Sequence, residues 1–449
     1  MTDQPSAAMR VTLVSHASVV IDTGSVRIWT DPWLFGKAFN DSWSLLVPAA
    51  WSDDCYETID YLWISHEHAD HFHVPTLRSM PQHLKERVTV LFREGDAEKM
   101  IGAFRDLGFA RVETIPHRGR ISLPGGAEAY SYEVGQMDSC LGVIRGQEVL
   151  LNVNDAELSD VDCRLIRSDL GPCQTVLNQF SIAGYGGDPD RATCLKNQAN
   201  GVLASVVHDH VALDADVTIP FASFMYFSVE DNRFMNDYVN RPRDVEAALR
   251  ERGLGSAVLA PGDTYLVGSD HDSAAALDHY DRVYDGLPLL AYDPVESVPL
   301  GEVEAAFRSR RAQLSEIFPA LVLRGLGAIT ASIPDLGVVV RFSFFRGSFE
   351  RIGDTAEPDI VVNSQPLAFA FRYPYGVQTL GVSARVTVRE GDRRWLRHRM
   401  AFALANTGLS LKLRRLAGRS NRRLVRPRLR GGFGQLRHFL RRTLPGGSR

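Results

Sequence analysis

The chain has 449 residues, of which 45% are hydrophobic and 23% charged, with a formal net charge of −4. That composition belongs to an ordinary globular protein of two or three domains, which excludes collagen-like, coiled-coil and disordered classes. No apolar run reaches the roughly 18 residues a membrane span needs, and "MTDQPSAAMR" lacks the regions of a signal peptide, so a cytoplasmic protein is expected.

Taken in order, "RVTLVSHASVVID", a turn at Thr23-Gly24-Ser25 and "VRIWTDP" predict a hairpin over residues 10–31. Residues 59–64 form the next apolar strand. Pro75 to Met80 starts a helix, since proline suits a first turn. A strand at 88–92 and a helix at 95–106 follow. "RVETI", "AEAYSYEV", "CLGVI" and "EVLLNVN" are strands, and helical periodicity returns around 190–212. A strand at 216–222, a helix at 242–252 and two strands about Pro261-Gly262 (257–267) complete this region. Many strands, then strands alternating with helices, predict two packed sheets with helices outside. A second unit begins near residue 270, with helices at 273–284 and 301–314. Strand-like runs lie at 336–346, 358–363 and 376–389, and a helix covers 393–405.

Charge is uneven along the chain. After Asp392 there is no acidic residue, while 17 of the 50 Lys and Arg lie there. Such a tail is either a solvated end offsetting an acidic body or a contact for an anionic partner, membrane surface or nucleic acid. "LRHFLRRTL" has the pattern of a short basic amphipathic turn. The five cysteines, Cys55, Cys140, Cys163, Cys173 and Cys194, form no C-x-x-C, and none is followed within three residues by His. That excludes zinc-ribbon, thioredoxin-type and Rieske patterns and fits reduced thiols.

The strand at 59–64 runs into "SHEHADHFH", where His66, His68, Asp70 and His71 have the spacing H-x-H-x-D-H. Alternate side chains leaving a strand share one side. His66 and His68 therefore suit one metal, and Asp70 and His71 a second one about 3.5–4 Å away. Imidazole suits zinc, iron, copper or nickel, and carboxylate favours harder ions such as manganese. His73 falls outside the spacing.

This spacing, with the strands before it, resembles the metallo-β-lactamase superfamily over roughly residues 10–268. "SHASVVID" followed by "WTDPWL" is similar to the opening of its lactonase-like branch, and the resemblance puts His16 and Asp31 near the metals. "EVLLNVNDAE" resembles the strand whose terminal aspartate bridges two metals, which implicates Asp155; by spacing alone Asp155 reads as a helix cap. The usual third histidine is missing from "YEVGQMDSCLGVI", where Asp138 is the nearest donor, and the last is replaced in "VLAPGDTYLV" by Asp263. His117, His208 and His210 are spare candidates, the last two reading as surface residues at a helix end. These departures, with "IPFASFMYF" and "APGDTYL", resemble the CMP-N-acetylneuraminate hydroxylase family, which also carries a Rieske domain.

The implied fold class is α/β: a four-layer αββα metallo-β-lactamase-like sandwich (1–268), a C-terminal α+β substrate-shaping region (269–408) and a basic tail (409–449). The implied centre holds two divalent metal ions on His66, His68, Asp70, His71, Asp138, Asp155 and Asp263. Four carboxylates favour iron, with zinc or manganese as alternatives. Asp70 or His16 would move protons, and Asp31 and Tyr185 would touch a small-molecule substrate. The Gly-rich "SIAGYGGDPD" around Tyr185 reads otherwise as a plain turn. The expected activity is a di-iron hydroxylase or oxygenase acting on a small polar metabolite, fed by a separate electron donor. The alternative is a hydrolase of an ester, lactone, amide or phosphodiester; a third reading is a non-catalytic binding protein. In "DPWLFGKAFNDSWSLL" (31–46), pocket lining and core packing explain Trp33 and Phe35 equally well.

Overall fold

A computed structural model describes residues 8–95, 97–135, 137–353, 357–389 and 393–406. The basic tail and its amphipathic turn lie outside the described residues. The chain divides into two compact units: Met1–Ala183 with Ala192–Val229 and Arg233–Tyr292, and Gly184–Arg191 with Glu230–Asn232 and Asp293–Arg449.

Among the described residues, the first unit is built on two seven-stranded sheets. In the first, Thr264–Leu266, Arg10–Ser15, Ser18–Asp22 and Arg27–Thr30 pair antiparallel, and Tyr61–Trp63, Thr89–Arg93 and Arg111–Ile115 continue in parallel. In the second, Gly119–Ser122, Ala127–Val134, Asp138–Arg145 and Glu148–Asn154 are antiparallel. Thr175–Gln179, Val217–Phe221 and Gly255–Ser256 then add in parallel. The predicted strand at 257–260 is absent; only Thr264–Leu266 pairs there.

Alternation along the strands creates the layers. Leu13, Ile28, Trp63 and Leu91 of the first sheet meet Leu141, Leu150, Leu177 and Ile219 of the second in one shared core. The other face of the first sheet buries Leu62, Val90 and Phe92 against Leu77, Leu84 and Phe104. Those three come from the helices Val74–Ser79, Gln82–Arg87 and Ala97–Asp106. The other face of the second sheet buries Cys140, Leu151 and Val176 against Cys163, Ile166 and Leu170 of the helix Asp160–Leu170. Helix, sheet, sheet, helix is the order anticipated from the sequence. The unit continues to Tyr292 instead of ending near residue 268, because the helix Ala274–Gly286 buries Leu277, Tyr280 and Tyr284 in the inter-sheet core.

His73, outside the H-x-H-x-D-H spacing, has a structural role. It is 1% exposed and caps the helix Val74–Ser79, its Nδ1 accepting from the Thr76 backbone. Its Nε2 lies 3.3 Å from the Lys37 carbonyl, which fixes a neutral ring. Burial lowers this histidine from 6.5 to about 4. Above pH 6.5 both folded and unfolded chains hold it neutral. Below that the unfolded chain takes up a proton that the folded one refuses until about pH 4, so stability falls across this window by about 3 kcal/mol. His73→Asn keeps a good cap and is expected to flatten that loss in urea unfolding between pH 7 and 4. An unchanged slope would show that other groups carry it.

In the second unit, the strands Ser348–Ile352, Val338–Ser343, Ile329–Ile333, Ile360–Val361 and Thr387–Val388 form a sheet. The helices Leu300–Ile317, Ala320–Leu326, Ser364–Arg372, Gly376–Val382 and Arg393–Asn406 accompany it. Phe307, Phe342, Phe344, Phe371 and Phe402 fill its core. The run 376–389 reads as a strand in sequence, yet its first part is helical: Val377 and Leu380, three apart, both enter this core. The Gly-rich segment belongs here. Tyr185 N donates to Gly381 O and Val388 N to Gly187 O. Gly187 has φ +90, and a Cβ there would come within 2.7 Å of Val388 Cγ2, so glycine is required for that close pass.

Candidate metal centre

Five loops at one end of the two sheets of the first unit supply the centre. His16 lies in the turn after Arg10–Ser15, Asp31 follows Arg27–Thr30, and the His66–His71 loop follows Tyr61–Trp63. Asp138 opens one strand and Asp155 follows the end of the next. Ligands at the carboxyl ends of parallel strands are a general feature of open α/β sheets.

Three groups of donor atoms converge. They are His66, His68 and Asp138; His66, His71 and Asp155; and His16, Asp70 and His71, the atoms of each group lying within 4.8 Å of one another. Asp155 Oδ2 is 3.6 Å from His66 Nε2 and 3.5 Å from His71 Nε2. Asp70 Oδ2 is 3.2 Å from both His71 Nε2 and His16 Nε2. His66 Nε2 lies 3.9 Å from Asp138 Oδ1 and 2.7 Å from His68 Nδ1.

Behind these donors stands a hydrogen-bonded support. Asp31 is fully buried. Its Oδ1 accepts from Ser65 N (2.8 Å), and its Oδ2 faces His71 Nδ1 at 3.2 Å and accepts from Asn154 Nδ2. Asp31 therefore orients His71; burial denies it the substrate contact expected from the sequence. Ser65 Oγ is 3.0 Å from His66 Nδ1, so the Nε2 atom of that ring faces the cluster, and Ser139 Oγ donates to the Ser65 carbonyl. Asp31 and Asn154 both have positive φ, 39° and 65°. Such backbone strain persists only where surrounding bonds over-determine it. Trp33 and Trp43, both buried, approach the His16 ring edge-on at 5.5 and 6.5 Å, while Phe35 is largely exposed.

The electrostatics call for a cation. Burial would raise Asp70, but His71 and His16 outweigh it and hold the carboxyl well below its usual range. Burial likewise opposes ionisation of Asp155, which His66 and His71 nevertheless draw down. His71 is raised well above 6.5 by Asp70 and Asp155 despite burial, whereas burial drives His66 well below it. Burial and the Asp155 charge push Asp138 well up. A proton held on His71 between two carboxylates occupies the electrostatic role of a cation. Moreover, the buried atoms His16 Nδ1, Asp70 Oδ1, His71 Nε2 and Asp155 Oδ1 have no hydrogen-bond partner. A buried polar atom without a partner calls for an explanation, and a bound ion is one. Gathered imidazoles and carboxylates with unpaired atoms fit divalent metal ions.

Other sequence candidates fall elsewhere. Asp263 is in none of these groups. Its Oδ2 accepts from Ala260 N and its carbonyl from Leu13 N, so it closes the turn before Thr264–Leu266. Tyr185 is buried within the second unit. His117 Nδ1 accepts from Glu133 N. His210 is 3% exposed and bonded to Thr218 Oγ1, not at the surface, whereas His208 is exposed. Sequence reading missed Ser65 and Asn154. The only local signal was an Asn at a strand end, a residue that tolerates the left-handed conformation.

Residues 10–141 match the family model described as Beta-lactamase superfamily domain. Over residues 10–141 the chain is thus similar to a beta-lactamase superfamily domain. The cytidine monophosphate-N-acetylneuraminic acid hydroxylase of Danio rerio is 24% identical over 305 residues, covering 62% of this chain and 48% of that protein. A Mycobacterium tuberculosis protein with the provisional name Rieske 2Fe-2S iron-sulfur protein is 30% identical over 190 residues, 39% of this chain and 35% of its own. The chain thus spans less than half the length of these curated relatives. Among solved structures, the diiron β-hydroxylase CmlA from Streptomyces venezuelae is 21% identical with a TM-score of 0.40, over 58% of this chain and 54% of that one. Igni18, a metallo hydrolase from Ignicoccus hospitalis, is 14% identical with a TM-score of 0.42, over 58% and 98%. The His66–His71 loop and Asp138 fall inside the matched superfamily domain, and Asp155 lies beyond its end. Among the described residues no helix is long and apolar enough to cross a membrane.

Proposed function

We propose that this chain is a dinuclear metal enzyme acting on a small polar molecule by oxidative hydroxylation. His66, His68 and Asp138 would hold one ion, Asp70 and His71 the other, with Asp155 shared. The observation that carries this reading is the Asp155 carboxylate oxygen at near-equal distances from His66 Nε2 and His71 Nε2. Two ions bound there would supply Lewis-acid chemistry and, if they are iron, redox chemistry toward dioxygen.

Iron is favoured because three carboxylates join three imidazoles, a harder and more anionic set than structural zinc sites use. The hydroxylase and iron–sulfur names of the sequence relatives support the same direction. They also support an electron donor as partner. His16 Nε2 stands 3.2 Å from Asp70 Oδ2 in this scheme and would orient that carboxylate, with Trp33 and Trp43 packed edge-on against its ring.

Metal analysis of protein isolated aerobically with minimal handling tests the proposal. Two irons per chain and visible colour are expected, and Asp138→Ala is expected to keep only one iron. Two zincs with turnover of a chromogenic ester would transfer the case to the hydrolase. No metal, with unfolding unchanged by chelator, would sink both.

A further inference from the structure

We propose a second, mononuclear metal site on the outer face of the second sheet, formed by Cys163, His208 and Asp209 and suited to zinc or a similar borderline ion. Cys163 lies on the helix Asp160–Leu170, and His208 and Asp209 near the end of Arg191–Ala212. His208 Nδ1 is 3.0 Å and Cys163 Sγ 4.0 Å from the same atom, Asp209 Oδ1, and the three donors lie within 4.8 Å of one another. Donors around a tetrahedral zinc, each roughly 2.0–2.3 Å from it, are about 3.3–3.8 Å apart. The observed spacings straddle that range.

Two further features favour a cation here. Asp209 is 3% exposed and makes no ion pair with Lys or Arg among the described residues. Its ionisable neighbour is His208, 3.0 Å away, so an ion held on that imidazole would set a counter-charge beside the buried carboxylate. The outer partners are also in position: Asp160 Oδ1 is 2.8 Å from His208 Nε2, and Asn178 Nδ2 donates to Asp209 Oδ2 at 2.9 Å. A carboxylate behind the far ring nitrogen fixes the histidine tautomer and raises its basicity toward metal. The His208 side chain is 43% exposed, which gives an ion a route in and leaves a fourth position for water. Sulfur, imidazole and carboxylate together select a borderline ion over magnesium or calcium.

The sulfur makes the site separable from the dinuclear centre, whose proposed ligands are all His and Asp. Titration of the full chain with cobalt(II) is expected to give a near-ultraviolet thiolate-to-cobalt band that saturates at one equivalent. The band should vanish in Cys163→Ser and persist in Asp155→Ala. Cobalt affinity should drop by about 10- to 100-fold in Asp160→Asn, which removes an outer partner, and by more than that in His208→Gln, an exposed change that removes a ligand. Circular dichroism of each variant checks that it folds. Absence of the band in the parent chain, its survival in Cys163→Ser, or unaltered affinity in His208→Gln would overturn the assignment.

Discussion

Asp155→Ala is expected to reduce bound metal from two equivalents to one or none and to lower turnover by more than about 100-fold, the upper end of the loss seen when only an outer partner of a metal ligand is removed. Asp155 Oδ2 is the atom common to His66 and His71, at 3.6 and 3.5 Å. Without it, the donors near His68 and those near Asp70 have no shared anion between them. The positive charge that His71 prefers would then rest on Asp70 and Asp31. Two ions repel, and a carboxylate between them offsets that repulsion directly. Elemental analysis of purified protein gives the answer. Retention of two ions in Asp155→Ala would end the dinuclear proposal in this form.

Asp31→Ala should act from behind the metals. Its carboxylate receives Ser65 N and Asn154 Nδ2 and orients His71 Nδ1, all in a fully buried setting. Removing one member of a buried charged network leaves the others unpaired, at about 3–5 kcal/mol. Loss of the outer partner of His71 should weaken metal binding by about 10- to 100-fold. Asp31→Asn keeps one acceptor for Ser65 N but turns a donor or a weaker acceptor toward Asn154 and His71, so an intermediate effect is expected. Urea unfolding and competition with a chelator measure the two losses. A stability change below about 1 kcal/mol, the scale of a single ordinary hydrogen bond, with unchanged metal affinity would show that Asp31 does not support the centre.

Local patterns were legible. The H-x-H-x-D-H run sits within six residues, and its direction follows from the strand before it, so residue type and spacing sufficed. Asp138 and Asp155 became candidates through resemblance alone, since nothing near either one in sequence marks a ligand. Asp263 shows the limit of that route: the same resemblance picked it, yet its carboxylate closes a turn with Ala260. His73 shows another, for one ring can serve as cap or ligand, and only the fold supplies Thr76 and Lys37 as its partners.

The sequence by itself determined the two-sheet pattern and the metal-capable loop after Tyr61–Trp63. These depend on periodicity and composition, which are short-range. Tertiary structure alone decided that Asp31 stands behind His71 and that Asp155 lies between two histidines. It also decided that Cys163 meets His208 and that the first unit runs on to Tyr292. Each of those rests on register and packing between strands or helices far apart in the chain, where a one-residue slip would turn a side chain to the opposite face.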